Sequence, residues 1–290
     1  NRTFDLSEWD AEMLKQLSEE QDLEPWFDEG DLAELIGEPE KIEGLTDPDA
    51  VPEVPEEPIT KEGDLYILGN HRLLCGDSTN IQHVEKLMNN RKAQTFFIDP
   101  PFGDNVGGFT FKKGKVSRTS FIANDKNIDW LEDVFDLIQC FLEEKNTKMV
   151  FFKWDKLEKI KSMAHSWGEP SCLCVWDRVR RSSAFMRFMP NHELCFHWGN
   201  MSDKKETGNL TNVWSVKKDY ELKELHPTVK PIEIIEPAIR VTTEKRKLVL
   251  DLFGGSGSTL IASERSGRDA YLMELDPKYC DVIVKRWEDF

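Results

Sequence analysis

A glycine-rich turn between a buried apolar strand and a helix constrains the fold of this chain more than any other feature. The apolar run covers residues 248–253, and Gly254, Gly255 and Gly257 follow it directly. Glycines let the backbone approach a ligand closely, and the next helix offers unpaired N–H groups at its start. Because further apolar runs alternate with helical patterns along residues 61–290, we expect an α/β fold with a mostly parallel sheet.

Short apolar runs bounded by turn residues predict the other elements of that sheet. A strand pair with a turn at Gly69 and Asn70 is expected within residues 65–78, and the run at 95–99 ends at a double proline. Further strands are expected at 148–152, 172–176, 192–198, 248–253 and 270–276, and helices at 130–143, 231–243 and directly after the glycine-rich turn.

The acidic residues are concentrated at the start of the chain. The net charge of the 290 residues is −16, but residues 1–60 hold 20 acidic and 3 basic residues, so residues 61–290 carry a net charge of +1. Residues 7–20 and 30–37 fit short amphipathic helices, and the proline-rich stretch 38–60 is typical of an extended linker. We interpret residues 1–60 as an acidic arm: a solvated tether, a docking arm for a partner, or a cover over a basic face.

The start of the chain and its cysteines give no indication of secretion or of a membrane. Asn1 is not a methionine and no apolar signal segment follows it, so we expect a piece of a longer protein. No run of about 18 uncharged apolar residues is present, which argues against a membrane span. The six cysteines form no C-x-x-C pair, and Cys172 with Cys174 does not complete a zinc site. We therefore expect buried thiols, no metal and a cytoplasmic location.

Two acidic residues at strand ends indicate which ligand the glycine-rich turn would hold. Asp251 ends its own strand, and Glu274 ends the next strand, 17 residues after Gly257. Glu274 is placed to bind both hydroxyls of a ribose, and Asp251 to hold an ammonium group. Leu260 stands where a dinucleotide-binding turn has its third glycine, and a phosphate-binding Gly-Lys-Ser/Thr ending is missing. A ligand with a ribose and an amino-acid group but no phosphate is S-adenosylmethionine, so we expect this cofactor. The alternative is a tight turn that holds no ligand.

The tetrapeptide Asp99-Pro100-Pro101-Phe102 has the properties of a site for an aromatic amine. The two prolines lack N–H groups, which leaves their carbonyl oxygens as acceptors beside the Asp99 carboxylate. These acceptors would take both N–H bonds of the amine and free its lone pair to attack a sulfonium methyl group, while Phe102 stacks on the base. An ordinary aspartate pKa near 3.9 is too low to deprotonate the amine beforehand, so we assign Asp99 to orientation and late proton acceptance. Alone, the tetrapeptide is equally typical of a turn.

Together these segments resemble the amino-group DNA methyltransferases of the β class, in which the catalytic motif precedes the cofactor motif. The resemblance implies a circularly permuted Rossmann-like fold that binds S-adenosylmethionine and acts on a base of DNA. It covers roughly residues 61–290, as one catalytic domain, and rests on LLCGDS (73–78), DPPF (99–102), WDR (176–178), HE (192–193), HPTVKP (226–231), DLFGGSGST (251–259) and ELDPKYC (274–280).

The same resemblance implies roles for individual residues. Asp at position 99 is typical of the adenine-N6 branch, whereas cytosine-N4 relatives usually carry Ser, and Phe102 replaces the commoner Tyr. Without the resemblance, Lys230 would be interpreted as a solvated helix-cap charge and Asp77 as a turn residue. The implied cofactor contacts are Asp251, Phe253, Gly254 and Gly255 to the methionine part, Glu274 to the ribose, Asp77 to the adenine, and His226, Thr228 and Lys230 to the carboxylate end.

A base stacked in duplex DNA must be flipped out to reach such a site, so basic segments beside it are expected to bind phosphates. The stretch 103–125 is expected to form a closing loop, and part of 177–225 a target-recognition insert. Each basic segment could equally be a solvated surface. The candidate DNA-contacting residues are Lys112, Lys113, Lys115, Arg118, Arg178, Arg180, Arg181 and Arg187.

Several alternatives stay open at this point. The target could be cytosine N4, RNA or a protein amide, or the chain could be a DNA-binding subunit that keeps the fold without catalysis. The resemblance also suggests a homodimer, a role in restriction-modification, a nucleoid-associated location and, weakly, a ParB-like domain upstream of this chain.

Overall fold

The computed structural model describes residues 43–101, 128–179, 191–199, 210–216 and 229–290, together with the backbone of residues 109–112 and 115–118. A nine-stranded sheet forms its centre, and a separate two-stranded antiparallel sheet pairs β4 (Phe109–Lys112) with β5 (Lys115–Arg118). The strands of the main sheet are β1 (Leu65–Leu68), β2 (His71–Cys75), β3 (Ala93–Ile98), β6 (Leu142–Phe152), β7 (Cys172–Asp177), β8 (His192–Trp198), β9 (Val213–Ser215), β10 (Leu248–Asp251) and β11 (Asp269–Glu274).

The spatial order of the main sheet is β1-β2-β11-β10-β3-β6-β8-β7-β9. The five strands from β2 to β6 run parallel to one another, whereas β1 and β8 pair antiparallel with their neighbours. The expected mostly parallel α/β sheet is therefore confirmed. β10 and β11, which come last in the sequence, lie between β2 and β3 in the sheet. We interpret this order as a circular permutation.

Six α-helices of the described part of the chain cover the two faces of the sheet. Phe96 and Phe152 pack on one face with Phe135, whereas Phe97 and Phe151 point to the opposite face. Because both faces are buried there, the last residues of β3 (96–98) and β6 (149–152) are continuous apolar runs without polar alternation. The helices are α1 (Ile81–Met88), α2 (Leu131–Leu137), α3 (Leu157–Met163), α4 (Ile232–Thr242), α5 (Ser258–Ser266) and α6 (Pro277–Asp289).

The structure differs from the sequence-based expectations in one region. The helix expected at 130–143 ends at Leu137, continues as a short 3-10 turn and gives way to an eleven-residue β6. Within the range 177–225, the strand expected at 192–198 is β8, which pairs with β6 inside the main sheet, and β9 lies at the edge of the sheet. A target-recognition insert in the rest of this range stays a prediction. No helix in the described ranges is long and apolar enough to cross a bilayer.

Residues 43–60 contain no helix or strand, as expected for an extended segment, but they lie against the main domain. The Oδ1 atom of Asp49 accepts a hydrogen bond of 2.9 Å from the N–H of Ile232 at the start of α4. The carbonyl of Pro48 accepts a 2.7 Å bond from the buried guanidinium of Arg286. A solvated tether therefore does not describe these residues, whereas residues 1–42 lie outside the described part of the chain.

The contact of Asp49 with α4 predicts a stabilising role for this segment. We expect Asp49→Ala to lower the free energy of unfolding by about 1–2 kcal/mol, since it leaves a helix-start N–H without its acceptor. The exposed Glu53 in the same segment provides a matched control, and Glu53→Ala should change stability little. Urea denaturation of both variants measures the difference, and equal stabilities would contradict the capping role.

Candidate active site

Four neighbouring parallel strands deliver their carboxyl ends to one edge of the sheet. In the register of β3 and β10, Phe96 pairs with Leu250, so the residues that follow these two strands leave the sheet side by side. Ligands of open α/β sheets bind at this edge. The expectation that the strand end before Asp99 and the glycine-rich turn share one edge is confirmed. The four strands end at Cys75 (β2), Glu274 (β11), Asp251 (β10) and Ile98 (β3).

The glycine-rich turn has the backbone conformation that its glycines permit. Gly255 and Gly257 have positive φ angles of 54° and 84°, which residues with a side chain rarely adopt. Gly254 donates a 2.8 Å hydrogen bond to the Met273 carbonyl. A Cβ atom on Gly254 would lie 3.2 Å from Cδ1 of Ile283 and 3.3 Å from the same carbonyl, so the turn packs tightly on α6 and β11.

Gly257 provides a test of this packing. A Cβ atom there would lie 3.2 Å from two side-chain carbons of Ile283, whereas one on Gly267 would meet nothing within 4 Å. Both glycines have positive φ, so Gly267→Ala should cost about 1–2 kcal/mol from backbone strain alone. We expect Gly257→Ala to cost more and to weaken cofactor binding. Urea denaturation and calorimetry measure both effects, and indistinguishable variants would contradict the packing argument.

Asp251 is a buried carboxyl at the end of β10, with 3% of its surface exposed. Its Oδ1 atom accepts a 2.9 Å hydrogen bond from the N–H of Phe253, and its side chain also bonds with Thr259. Burial raises the pKa of Asp251 to about 7, and the nearby charge of Asp99 adds to the shift. A cationic ligand would strongly stabilise the ionised form of such a buried carboxyl.

Glu274 ends the neighbouring strand β11 and contacts the glycine-rich turn directly. Its Oε2 atom accepts a 2.7 Å hydrogen bond from the N–H of Gly255, and Oε1 accepts a 2.9 Å bond from the N–H of Asp276. Burial raises the pKa of Glu274 to about 7, against these two hydrogen bonds. The carboxyl thus lies beside the turn, at the position where the sequence predicts a ribose.

Asp77 follows β2 at the same edge. Its Oδ1 atom accepts hydrogen bonds of 2.8 and 2.7 Å from the N–H and hydroxyl of Thr79, as expected for a turn residue. Gly76 before it approaches His83 so closely that a Cβ atom would lie 2.8 Å from Nδ1. The contact of Asp77 with the cofactor adenine stays a prediction.

Asp99 follows β3 and forms an ion pair with Lys230, at 2.6 Å between Oδ2 and Nζ. Lys230 also contacts Oε2 of Glu193 at 2.8 Å, and only 6% of its surface is exposed. Burial opposes the charged form, but the two carboxylates outweigh it and raise the pKa of Lys230 above its ordinary value. The interpretation of Lys230 as a solvated charge is therefore wrong, because its ammonium lies inside the site.

Arg178 lies on the other side of Glu193, immediately after β7. Its Nη2 atom forms an ion pair with Oε1 of Glu193, and its guanidinium lies 5.4 Å from the ring centre of Trp176. The charge of Arg178 is thus neutralised within the protein, which differs from a solvated basic surface. A role for Arg178 in binding DNA stays a prediction.

Comparisons with known proteins identify the family of this chain. A family model described as DNA methylase matches residues 197–285. The type II methyltransferase M2.LlaDCHI of Lactococcus lactis subsp. cremoris is 31% identical over 211 residues, which cover 69% of this chain and 76% of the relative. The chain belongs to the N6/N4 DNA methylase family. The type II methyltransferase M.Cfr9I of Citrobacter freundii is 30% identical over 126 residues, but this alignment spans only 41% of the chain and 42% of the relative.

Solved structures show the same fold as this chain. The cytosine-N4-specific PvuII DNA methyltransferase superposes with a TM-score of 0.57 at 17% identity and covers 79% of the chain and 90% of its own length. The M1.HpyAVI complex with S-adenosylmethionine superposes with a TM-score of 0.55 at 18% identity, covering 74% and 98% respectively. At these identities the likeness establishes the fold.

Some residues predicted for the candidate site lie outside the described part of the chain. Pro100 is buried and Pro101 half-buried beside Asp99, but Phe102 is not described. For Lys112, Lys115 and Arg118 only the backbone is described, and Lys112 pairs with Lys115 across the hairpin of β4 and β5. The undescribed candidates are Phe102, Lys113, Arg180, Arg181, Arg187, His226 and Thr228.

Sequence reasoning gave no role to two side chains that organise the candidate site, although Glu193 was part of the HE motif. Glu193 was visible as an acid within an otherwise apolar strand, a pattern that requires a buried partner. Arg286 on α6 is 3% exposed and donates a 2.9 Å hydrogen bond to the Ser256 carbonyl, which fixes the glycine-rich turn from behind. Burial lowers the pKa of Arg286 to about 10. Its position in an amphipathic helix gave no signal of this contact.

Proposed function

We propose that this chain transfers the methyl group of S-adenosylmethionine to an exocyclic amine of a base in DNA, with N6 of adenine as the target. The observation that carries the proposal is the adjacency of Asp99 and Asp251 at one sheet edge. A site for the amine and a site for the cofactor then meet in a single crevice. Membership of the DNA methylase family supports DNA as the substrate.

The residues at this edge fit S-adenosylmethionine. The buried carboxyl of Asp251 suits the ammonium of the amino-acid group, and Glu274 lies where a ribose would place its hydroxyls. Gly255 leaves room for close approach of a ligand to the backbone, because a Cβ atom there would contact only the Phe253 carbonyl, at 3.9 Å. When bound, the cofactor supplies a methyl group activated by a positively charged sulfur.

Asp99 and the carbonyl groups of the following prolines orient the amine. The carboxylate accepts one N–H bond and a proline carbonyl accepts the other, which directs the lone pair of nitrogen towards the methyl carbon. The bound cofactor would supply the methyl carbon, its sulfur would keep the electron pair of the broken carbon–sulfur bond, and the oriented nitrogen would supply the electron pair of the new bond. The proton released from nitrogen passes to the Asp99 carboxylate and from there to water.

The choice of adenine over cytosine rests on Asp99, which the resemblance associates with the N6 branch. The test is to express the chain in a host without DNA methylation, digest its DNA to nucleosides and identify the methylated base by mass spectrometry. We expect N6-methyladenine. N4-methylcytosine would overturn the base assignment but not methyl transfer to DNA. Unmodified DNA, with transfer to RNA or protein pools in vitro, would overturn the proposed substrate.

The basic residues of the stretch 103–125 are proposed to bind phosphates. We expect the double substitution Lys112→Ala with Lys113→Ala to weaken binding to all DNA sequences alike. The slope of log K against log salt should fall by about 1 for each lysine. Fluorescence anisotropy on several duplexes at different salt concentrations measures this. A loss confined to one sequence would show base recognition in place of phosphate binding.

A further inference from the structure

The ion pairs next to the active site form one continuous chain of alternating charge. Asp99, Lys230, Glu193 and Arg178 follow one another, and each internal member contacts the charges on both sides. This row of ion pairs begins at Asp99 after β3, continues through Lys230 to Glu193 on β8, and ends at Arg178 directly after β7. Its two carboxylates and two cations balance, so these four side chains together carry no net charge.

Lys230 has the most buried side chain of these four residues. Its Nζ atom lies 2.6 Å from Asp99 and 2.8 Å from Glu193, and it lies 4.6 Å from the ring centre of Phe151 and 5.9 Å from that of Trp176. A buried ammonium is strongly unfavourable unless carboxylates surround it. These contacts direct the charge of Lys230 towards Asp99 and Glu193.

We propose that Lys230 is a positioning residue for the catalytic carboxylate of Asp99, and that Glu193 and Arg178 hold Lys230 in place. The proposal rests on the proposed function, since Asp99 positions the amine. An ammonium at hydrogen-bonding distance restricts the Asp99 side chain to one orientation and stabilises its negative charge. The resemblance implied a contact of Lys230 with the cofactor carboxylate, and the two roles make opposite predictions.

The arrangement also explains why Glu193 is required. An ammonium held by Asp99 alone could move with that flexible side chain, which is 26% exposed. Glu193 belongs to strand β8 and its side chain is 10% exposed, so it holds Lys230 from the rigid sheet. The second oxygen of Glu193 bonds to Arg178, which restricts the carboxylate in turn. Asp99 is thereby held in position by the sheet itself.

The first test compares Lys230→Met with Lys148→Met. Lys148 is also a buried lysine, 8% exposed on β6, but its ammonium bonds to Asn146 at 2.6 Å and lies 5.3 Å from the ring centre of Trp167. We expect Lys230→Met to lower kcat for DNA methylation about 100-fold, the scale typical of a misplaced catalytic group, while the Kd for S-adenosylmethionine stays near the original value. Lys148→Met should leave both quantities unchanged.

Glu193→Gln keeps the shape of the side chain and provides a second test that does not depend on the folding of Lys230→Met. We expect kcat to fall about tenfold with the Kd for S-adenosylmethionine near its original value, and an unchanged kcat would overturn the proposal. Where Lys230→Met folds, the loss from Glu193→Gln should disappear in the double variant, because both act through the same contact. Additive losses would overturn the proposal. An unchanged kcat in Lys230→Met with a raised Kd would assign Lys230 to the cofactor and overturn it as well.

A crystal structure of Lys230→Met provides a readout that does not depend on activity. We expect the Asp99 carboxylate to leave its position or to occupy several, whereas an unchanged position would overturn the proposal. Methylation of DNA by the unsubstituted protein is measured first. Its absence would contradict the proposed function alone, since the crystal structure still decides whether Lys230 positions Asp99.

Discussion

Replacing Asp99 by Asn is expected to reduce kcat for DNA methylation by roughly 10²–10⁴-fold, the range typical of a lost acid–base group. The substitution keeps the size of the side chain but removes the negative charge that Lys230 contacts at 2.6 Å. An amide also accepts a proton from the methylated nitrogen far less readily than a carboxylate. Binding of S-adenosylmethionine should change little, because the residues proposed to hold its ammonium and its ribose, Asp251 and Glu274, end β10 and β11.

The control for Asp99→Asn removes a lysine–carboxylate pair elsewhere on the sheet. Glu143 pairs with Lys247 at 3.1 Å near the start of β6, at the opposite end of the strand from the active site. We expect Glu143→Gln to retain full activity. Single-turnover kinetics give the rate of methyl transfer, and calorimetry gives the Kd of the cofactor. A large loss of cofactor binding in Asp99→Asn would contradict the separation of the two sites.

Much of the fold could be predicted because buried strands are recognisable as apolar runs. The runs at 95–99, 192–198 and 270–276 correspond closely to β3, β8 and β11. The direction of pairing was less accessible, since a strand buried on both faces has the same pattern in either orientation. This is why the antiparallel insertion of β8 next to β6 could not be foreseen. The three-residue β9 is too short to give a periodic signal.

The candidate site could be predicted where its residues follow strand ends directly. Asp99, Asp251 and Glu274 were assigned to one edge because parallel strands share their carboxyl edge. The partners of Lys230 could not be predicted, since its contacts depend on how α4 and β8 pack in three dimensions. A lysine before a helix has the same sequence pattern whether solvated or buried. The unusual position of Glu193 in an apolar strand was the only indication of a buried cation nearby.

Cofactor affinity is expected to increase by roughly tenfold between pH 5.5 and pH 7 as the carboxyl of Asp251 ionises. Burial raises the pKa of Asp251 to about 7, so below this pH the free protein holds a neutral carboxyl. An ammonium binds the ionised form, so binding at lower pH must first remove a proton. Affinity therefore increases with pH and levels off above the pKa. Calorimetry at a series of pH values measures this dependence.

The raised pKa of Asp251 affects the stability of the free protein in the opposite direction: cofactor affinity increases with pH, whereas stability decreases. Because burial raises the pKa values of Asp251 and Glu274 to about 7, both carboxyls bind protons more tightly in the folded than in the unfolded state. The free energy of unfolding should therefore fall as pH rises from about 4 towards 7, where this contribution levels off. Bound cofactor offsets the loss, so the increase in Tm that it produces should be larger at pH 7 than at pH 5.5.

Asp251→Asn tests whether ionisation of Asp251, and not a general effect of pH on the protein, causes the pH dependence of cofactor affinity. The variant cannot ionise at position 251, so its cofactor affinity should be weaker at pH 7 but should vary much less between pH 5.5 and pH 7. Glu274 remains in the variant as the second carboxyl with a raised pKa, and burial is again the main cause. A residual dependence that disappears in Asp251→Asn with Glu274→Gln would assign it to the ribose site. An unchanged pH dependence in the double variant would show that neither carboxyl controls cofactor binding.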